Sequence, residues 1–209
     1  MYQRGFIISY TINLVFIRYT ILYTLTHSLY IRIIKLLKLG DLMCLNKITL
    51  RRSIANNIDR ATIDCNNDYY IIAAELYGIY RAIGGTKTAV LPPFCDEARK
   101  FSYNLAKAKI KFDKAIKNGN ISCNEIIEML SDIDEIKSVR CKESLDRVVI
   151  ILVILNKETM LIFNKHKICR IFYEILKIYM DYNYKRDINL IDNSIETIFT
   201  CNWEGDIHG

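Results

Sequence analysis

Between Asp68 and Ile133 the apolar residues recur at intervals of three and four, and each run is bounded by residues that start or stop helices. This periodicity constrains the chain more than any other feature, because it asks for helices that bury one face against one another. Asp68 is placed to cap a helix reaching Ile83, with Ile72, Leu76, Ile79, Tyr80 and Ile83 along one side and Gly84–Gly85 as its stop. After a loop from Thr86 to Leu91, Pro93 suits a first helical position, and Asp96 and Glu97 lie near the positive end of the helix dipole. Phe101, Leu105, Ala108, Phe112 and Ala115 then line one face as far as Lys117, where Asn118–Gly119 end the helix. Ser122 and Glu125 form a capping box opening a third helix that buries Ile126, Ile127, Leu130 and Ile133.

Flanking segments follow the same logic. Ser53 can cap a short helix through about Asp64, and the segment from His166 to Tyr182 carries Ile168, Phe172, Ile175, Leu176 and Tyr179 on one face. Asn193 or Ser194 caps a last helix through Cys201. Val148 to Leu155 reads Val-Val-Ile-Ile-Leu-Val-Ile-Leu and fits either a buried β-hairpin or two consecutive helices with Asn156 as a cap. The chain holds 36 Ile and only 6 Val. Both pack equally well, so the imbalance reflects an A+T-rich coding sequence, and Ile-rich runs weigh less as strand evidence. With helices on both sides, helix is assigned here. The expected fold is all-α, an irregular bundle of six or seven helices; the alternative is α+β with a β-hairpin at 147–163. Eight Gly and two Pro disfavour a turn-dense sandwich. No fixed repeat is evident, which favours a bundle over a stack of helix pairs.

Composition enters through charge. At 51% apolar residues and a net charge of +6, the chain is not a disordered one. Residues 1–52 hold eight bases and one acid, whereas the other 157 balance to −1. The expected organisation is a basic, apolar arm at 1–42, a helical domain at 43–201 and a tail at 202–209. From Phe6 to Ile31 the only charge is Arg18, a stretch long enough to cross a bilayer. Arg18 near its middle would cost roughly 2.5–3.5 kcal/mol there. Arg32, Lys35 and Lys38 follow at spacings of three, as on a helix lying against an anionic membrane surface. The arm therefore admits three readings: a membrane anchor over 6–39, a core element, or a segment ahead of a true start at Met43.

The seven cysteines lie 18 to 32 residues apart with no CxxC pair, so free thiols in a cytoplasmic or other reducing compartment are expected. Of the histidines, His27 lies in the arm, His166 in a basic turn and His208 in the tail, so no nucleophile–base set is legible. His166 and Cys169 are one helical turn apart, but zinc sites bring their ligands in two close pairs. Gly84-Gly85-Thr86-Lys87-Thr88 lacks the Gly directly before Lys that a P-loop needs, and a helix precedes it. No catalytic residue, cofactor or metal ligand is therefore assigned.

The one patterned surface is basic. Lys100, Lys107, Lys111 and Lys114 fall within about 60° of one another on a helical wheel, as a polyanion-binding stripe would. The expected function is that of a non-enzymatic helical module that binds another protein. The alternatives are a membrane-associated protein held by residues 6–39 and a nucleic-acid binder using the lysine stripe.

Overall fold

In the computed structural model, which describes residues 47–63, 66–117, 121–185 and 192–200, ten consecutive residues from Ile71 to Tyr80 are buried. The helix that carries them touches neighbours on every side, not along one stripe. It is α2 (Asn67–Ala82), preceded by α1 (Lys47–Ile63). Asn66, rather than Asp68, caps α2: its backbone is extended, and its side chain accepts a hydrogen bond from the Asp68 N–H at 3.1 Å. Past the helix end Gly84 adopts φ +82°, the left-handed conformation that glycine takes without strain.

A single 3₁₀ turn at Pro93–Cys95 leads into α3 (Asp96–Lys117), with proline at the position where its missing N–H is harmless. α3 packs closely along α2 at Gly78. A Cβ there would lie 2.4 Å from the Arg99 carbonyl oxygen and 2.1 Å from Ser102 Oγ. α4 (Cys123–Ser131) opens on the expected capping box: Ser122 N donates to Glu125 Oε2 at 2.8 Å, and Glu125 N donates to Ser122 Oγ at 3.3 Å. Ile126, Leu130 and Ile133 are buried as expected, and Ile127 is half-buried.

The all-α expectation is overturned at this point in the chain. β1 (Ile136–Glu143), β2 (Arg147–Ile154) and β3 (Lys157–Asn164) form an antiparallel sheet in the order β1-β2-β3. The fold of the described residues is thus α+β, six α-helices with one three-stranded meander. The hairpin alternative at 147–163 covers β2 and β3; β1 lies outside it. Of the Val148–Leu155 run, Val148 to Ile154 is strand, its alternate residues Val148, Ile150, Leu152 and Ile154 buried with a period of two that a helix cannot produce. A two-residue turn closes the hairpin: Ile154 pairs with Lys157, and Leu155 and Asn156 have φ of 50° and 61°, the conformation that matches strand twist. A 3₁₀ segment (Lys165–Arg170), α5 (Ile171–Tyr184) and α6 (Asp192–Thr200) complete the order.

One hydrophobic core runs through the helices and the inner face of the sheet. Phe101 of α3 stacks on Tyr179 of α5 at 3.7 Å, and Phe112 meets Phe172 edge-on at 5.1 Å. Cys123 and Cys141 form a disulfide with Cα atoms 5.3 Å apart, which corrects the expectation of free thiols for this pair. The two are 18 residues apart in sequence and meet because α4 packs against β1. Among the described residues Cys95 and Cys169 are free. Arg32, Lys35, Lys38, the 6–39 stretch, Asn118–Gly119, Cys201 and the 202–209 tail lie outside the described residues. Among the described residues no helix is long and apolar enough to cross a membrane.

Candidate functional site

The four lysines of the expected stripe all lie on the exposed side of α3. Two of them are engaged from the turn after α4: Lys100 Nζ donates to Asp134 Oδ2 at 2.9 Å and Lys111 Nζ to Asp132 Oδ2 at 2.6 Å. Hydrogen bonding and charge from Asp134 hold the Lys100 ammonium above its ordinary pKa. Lys107 stands over the Tyr103 ring at 5.5 Å, and Lys114 is exposed. Instead of a row of open cations, the stripe presents a mixed surface in which Asp132 and Asp134 offset half of the positive charge. A polyanion would have to displace both pairs.

A fifth lysine on the same helix behaves differently. Lys109 is fully buried and its Nζ donates to both carboxylate oxygens of Asp113 at 2.6 Å. Lys109 and Asp113 turn toward the interior with Ser102, while Glu75 of α2 is buried as well. The sequence carries a signal for this: Lys109 is rotated by about 80° from Phe101 on the wheel, inside the buried arc rather than opposite it.

Burial and the neighbouring Asp96 push the Cys95 thiol up to about 11, and its Sγ donates to the Tyr70 carbonyl at 3.4 Å. His166 is exposed and Cys169 half-buried, and no group of three metal-ligating side chains occurs among the described residues. A cavity of about 180 Å³ beside the disulfide is lined by Ile116, Ile126, Val148 and Ile168, and the Lys165–Glu143 ion pair at 2.5 Å stands at its wall.

The outer face of the sheet is the surface that its sequence does not prepare for water. An antiparallel sheet with one solvated face alternates apolar with polar residues. β2 does not: its inner column is Val148, Ile150, Leu152 and Ile154, and its outer column is Arg147, Val149, Ile151 and Val153. The register places Val149 beside Ile162, Ile151 beside Met160 and Val153 beside Glu158. Met160 is 60% exposed and Ile162 58%, and Val149, Ile151 and Val153 beside them are half-buried, so an aliphatic strip two strands wide reaches the surface. Across β1 the same rows end in Lys142, Arg140 and Ser138. Arg140 reaches over β2 to Glu158 on β3, with Nη2 and Oε2 2.7 Å apart, and so straps the strip between Ile151 and Val153. Leu145, 92% exposed, stands at the tip of the β1–β2 turn. The sequence does not single out these residues, since a helical assignment to 148–155 distributes them around a cylinder.

No protein-family model, curated protein or solved structure matches the chain.

Proposed function

We propose that the chain is a non-enzymatic protein-interaction module whose docking surface is the outer face of the β1–β3 sheet. The observation that carries this reading is β2 itself. A strand that is apolar on both sides has the composition of a strand covered on both sides, and among the described residues its inner side is fully buried and its outer side only half-buried. Val149, Ile151, Val153, Met160 and Ile162 supply the apolar centre, and charged residues rim it, the arrangement by which protein interfaces exclude water at the middle and stay wet at the edge. The lysines of α3, two of them paired with Asp134 and Asp132, surround no apolar centre, so they are the weaker candidate.

The experiment is site-specific photocrosslinking in the expressing cell. A photoreactive residue at position 160 or 162 is expected to capture a discrete protein partner, while the same residue at Lys114 on α3 does not. If positions 160 and 162 yield no more crosslink than Lys114, the reading falls.

A further inference from the structure

We infer that the occupant of this face is an acidic amphipathic helix of a partner protein, an inference that rests on the docking role proposed above. Charge selects the occupant. The outer face carries Arg140, Lys142 and Arg147 against the single acid Glu158. Arg140 is neutralised by Glu158, and Lys142 and Arg147 have no ion pair among the described residues. Both lie in the rows nearest the β1–β2 turn, beside Val149 and opposite Asn164. Carboxylates flanking an apolar stripe complement that end of the face and steer the approach.

A second copy of this chain is the poorer match. Face-to-face association would bring six bases and two acids into one interface, since each copy contributes three bases and one acid. An anionic bilayer is poorer too: Glu158 sits within the face, and Val149, Ile151 and Val153 are half-buried in a sheet surface rather than projecting from it.

Shape selects the helix. Strands lie about 4.8 Å apart, so the two edge strands are separated by about 10 Å, the width of one helix. The column from Val149 to Val153 runs about 13 Å, which about nine helical residues span, and since the Arg140–Glu158 pair crosses it before Val153 the apolar contacts fall at the Val149–Ile151 end. The partner helix lies along β2 with apolar side chains over Ile151 and Met160 and its acidic flank toward Lys142 and Arg147.

The test is selection of a displayed library of helical peptides, with a fixed apolar stripe and randomised Glu, Gln or Lys flanks, on the full-length chain. Enriched peptides are expected to be acidic, and exchanging their flanking Glu for Lys should weaken binding roughly tenfold at low salt, less at high salt. The double variant Met160→Asp/Ile162→Asp should abolish binding, and Lys142→Glu/Arg147→Glu should remove the preference for acidic flanks while retaining part of the binding. All four positions are at the surface, and circular dichroism of the variants checks that the fold is intact.

The outcomes separate the two ideas. Enrichment of neutral or basic peptides that still require Met160 and Ile162 overturns the acidic partner and leaves the docking face standing. No enrichment, or binding indifferent to Met160 and Ile162, overturns both. Dimerisation in sedimentation equilibrium that Ile151→Lys dissolves assigns the face to a second copy. Pelleting with phosphatidylserine vesicles that requires Met160 and Ile162 assigns it to lipid. Either result overturns the helix.

Discussion

Gly78 and Lys109 show how single residues set the packing of α2 against α3. A methyl group at Gly78 would meet not only the Ser102 hydroxyl but the Arg99 carbonyl and the Tyr103 amide nitrogen, at 2.4 and 2.9 Å. Backbone cannot turn aside as a side chain can, so Gly78→Ala is expected to force the helices apart and destabilise by about 3 kcal/mol. Adding Ser102→Ala should recover little of it; full recovery in urea unfolding would show that the hydroxyl, not the backbone, is the obstacle. Lys109 answers to a different rule. Lys109→Met removes the ammonium beside Asp113 and leaves a carboxylate in the interior, at an expected cost of about 3–5 kcal/mol. Replacing both, Lys109→Met with Asp113→Leu, should recover part of that stability, because no carboxylate at 113 is then left buried without its ammonium. Equal losses in the single and double variants would contradict this. Gly78 is one glycine among eight in the sequence, and only the crossing of two helices makes it indispensable.

Among the elements, α4 was the most legible and the sheet the least. The α4 start was readable because its cap is local: Ser122 and Glu125 satisfy each other's backbone within four residues. Accepting hydrogen bonds from the Ser122 amide and hydroxyl holds the Glu125 carboxyl below its ordinary range. A carboxylate with a lowered folded pKa stabilises above its unfolded value of about 4.3, and that contribution is lost as pH falls through the folded value. Glu125→Gln should therefore flatten the acid limb of stability against pH, and Ser122→Ala should cost about 1 kcal/mol near neutrality. An unchanged acid limb would remove the capping box from the account. β1, by contrast, reads Ile-Lys-Ser-Val-Arg-Cys-Lys-Glu, too polar to announce a strand without its partner. The Leu155–Asn156 turn lacks the Asn-Gly or Asp-Gly pair that marks a two-residue hairpin. One signal was available. Coding bias explains the abundance of Ile but not where the few valines fall: four of the six, Val139, Val148, Val149 and Val153, lie in β1 and β2. These valines weigh for the hairpin alternative at 147–163 and against the helix.

At the scale of the whole molecule the Cys123–Cys141 link joins the helical part to the sheet. It closes a loop across 18 positions, for which chain entropy gives a stabilisation of about 3 kcal/mol. Cys123→Ser should lower stability by that amount in urea, and adding reductant should lower the wild type to the same level while leaving the variant unchanged. A wild type indifferent to reductant would show that the link contributes nothing. By itself the sequence determined the three central helices, their approximate ends and the basic face of α3, because helix periodicity, caps and dipole preferences act within a few residues of one another. Tertiary structure alone decided β1, the disulfide and the pairing of Lys100 and Lys111 with Asp134 and Asp132. Each joins groups whose affinity is expressed only once the chain between them has folded. The aliphatic outer face of β2 belongs to both: its residues are plain in the sequence, but whether a row of Val and Ile faces core or water is settled only by which side of the sheet the helices cover.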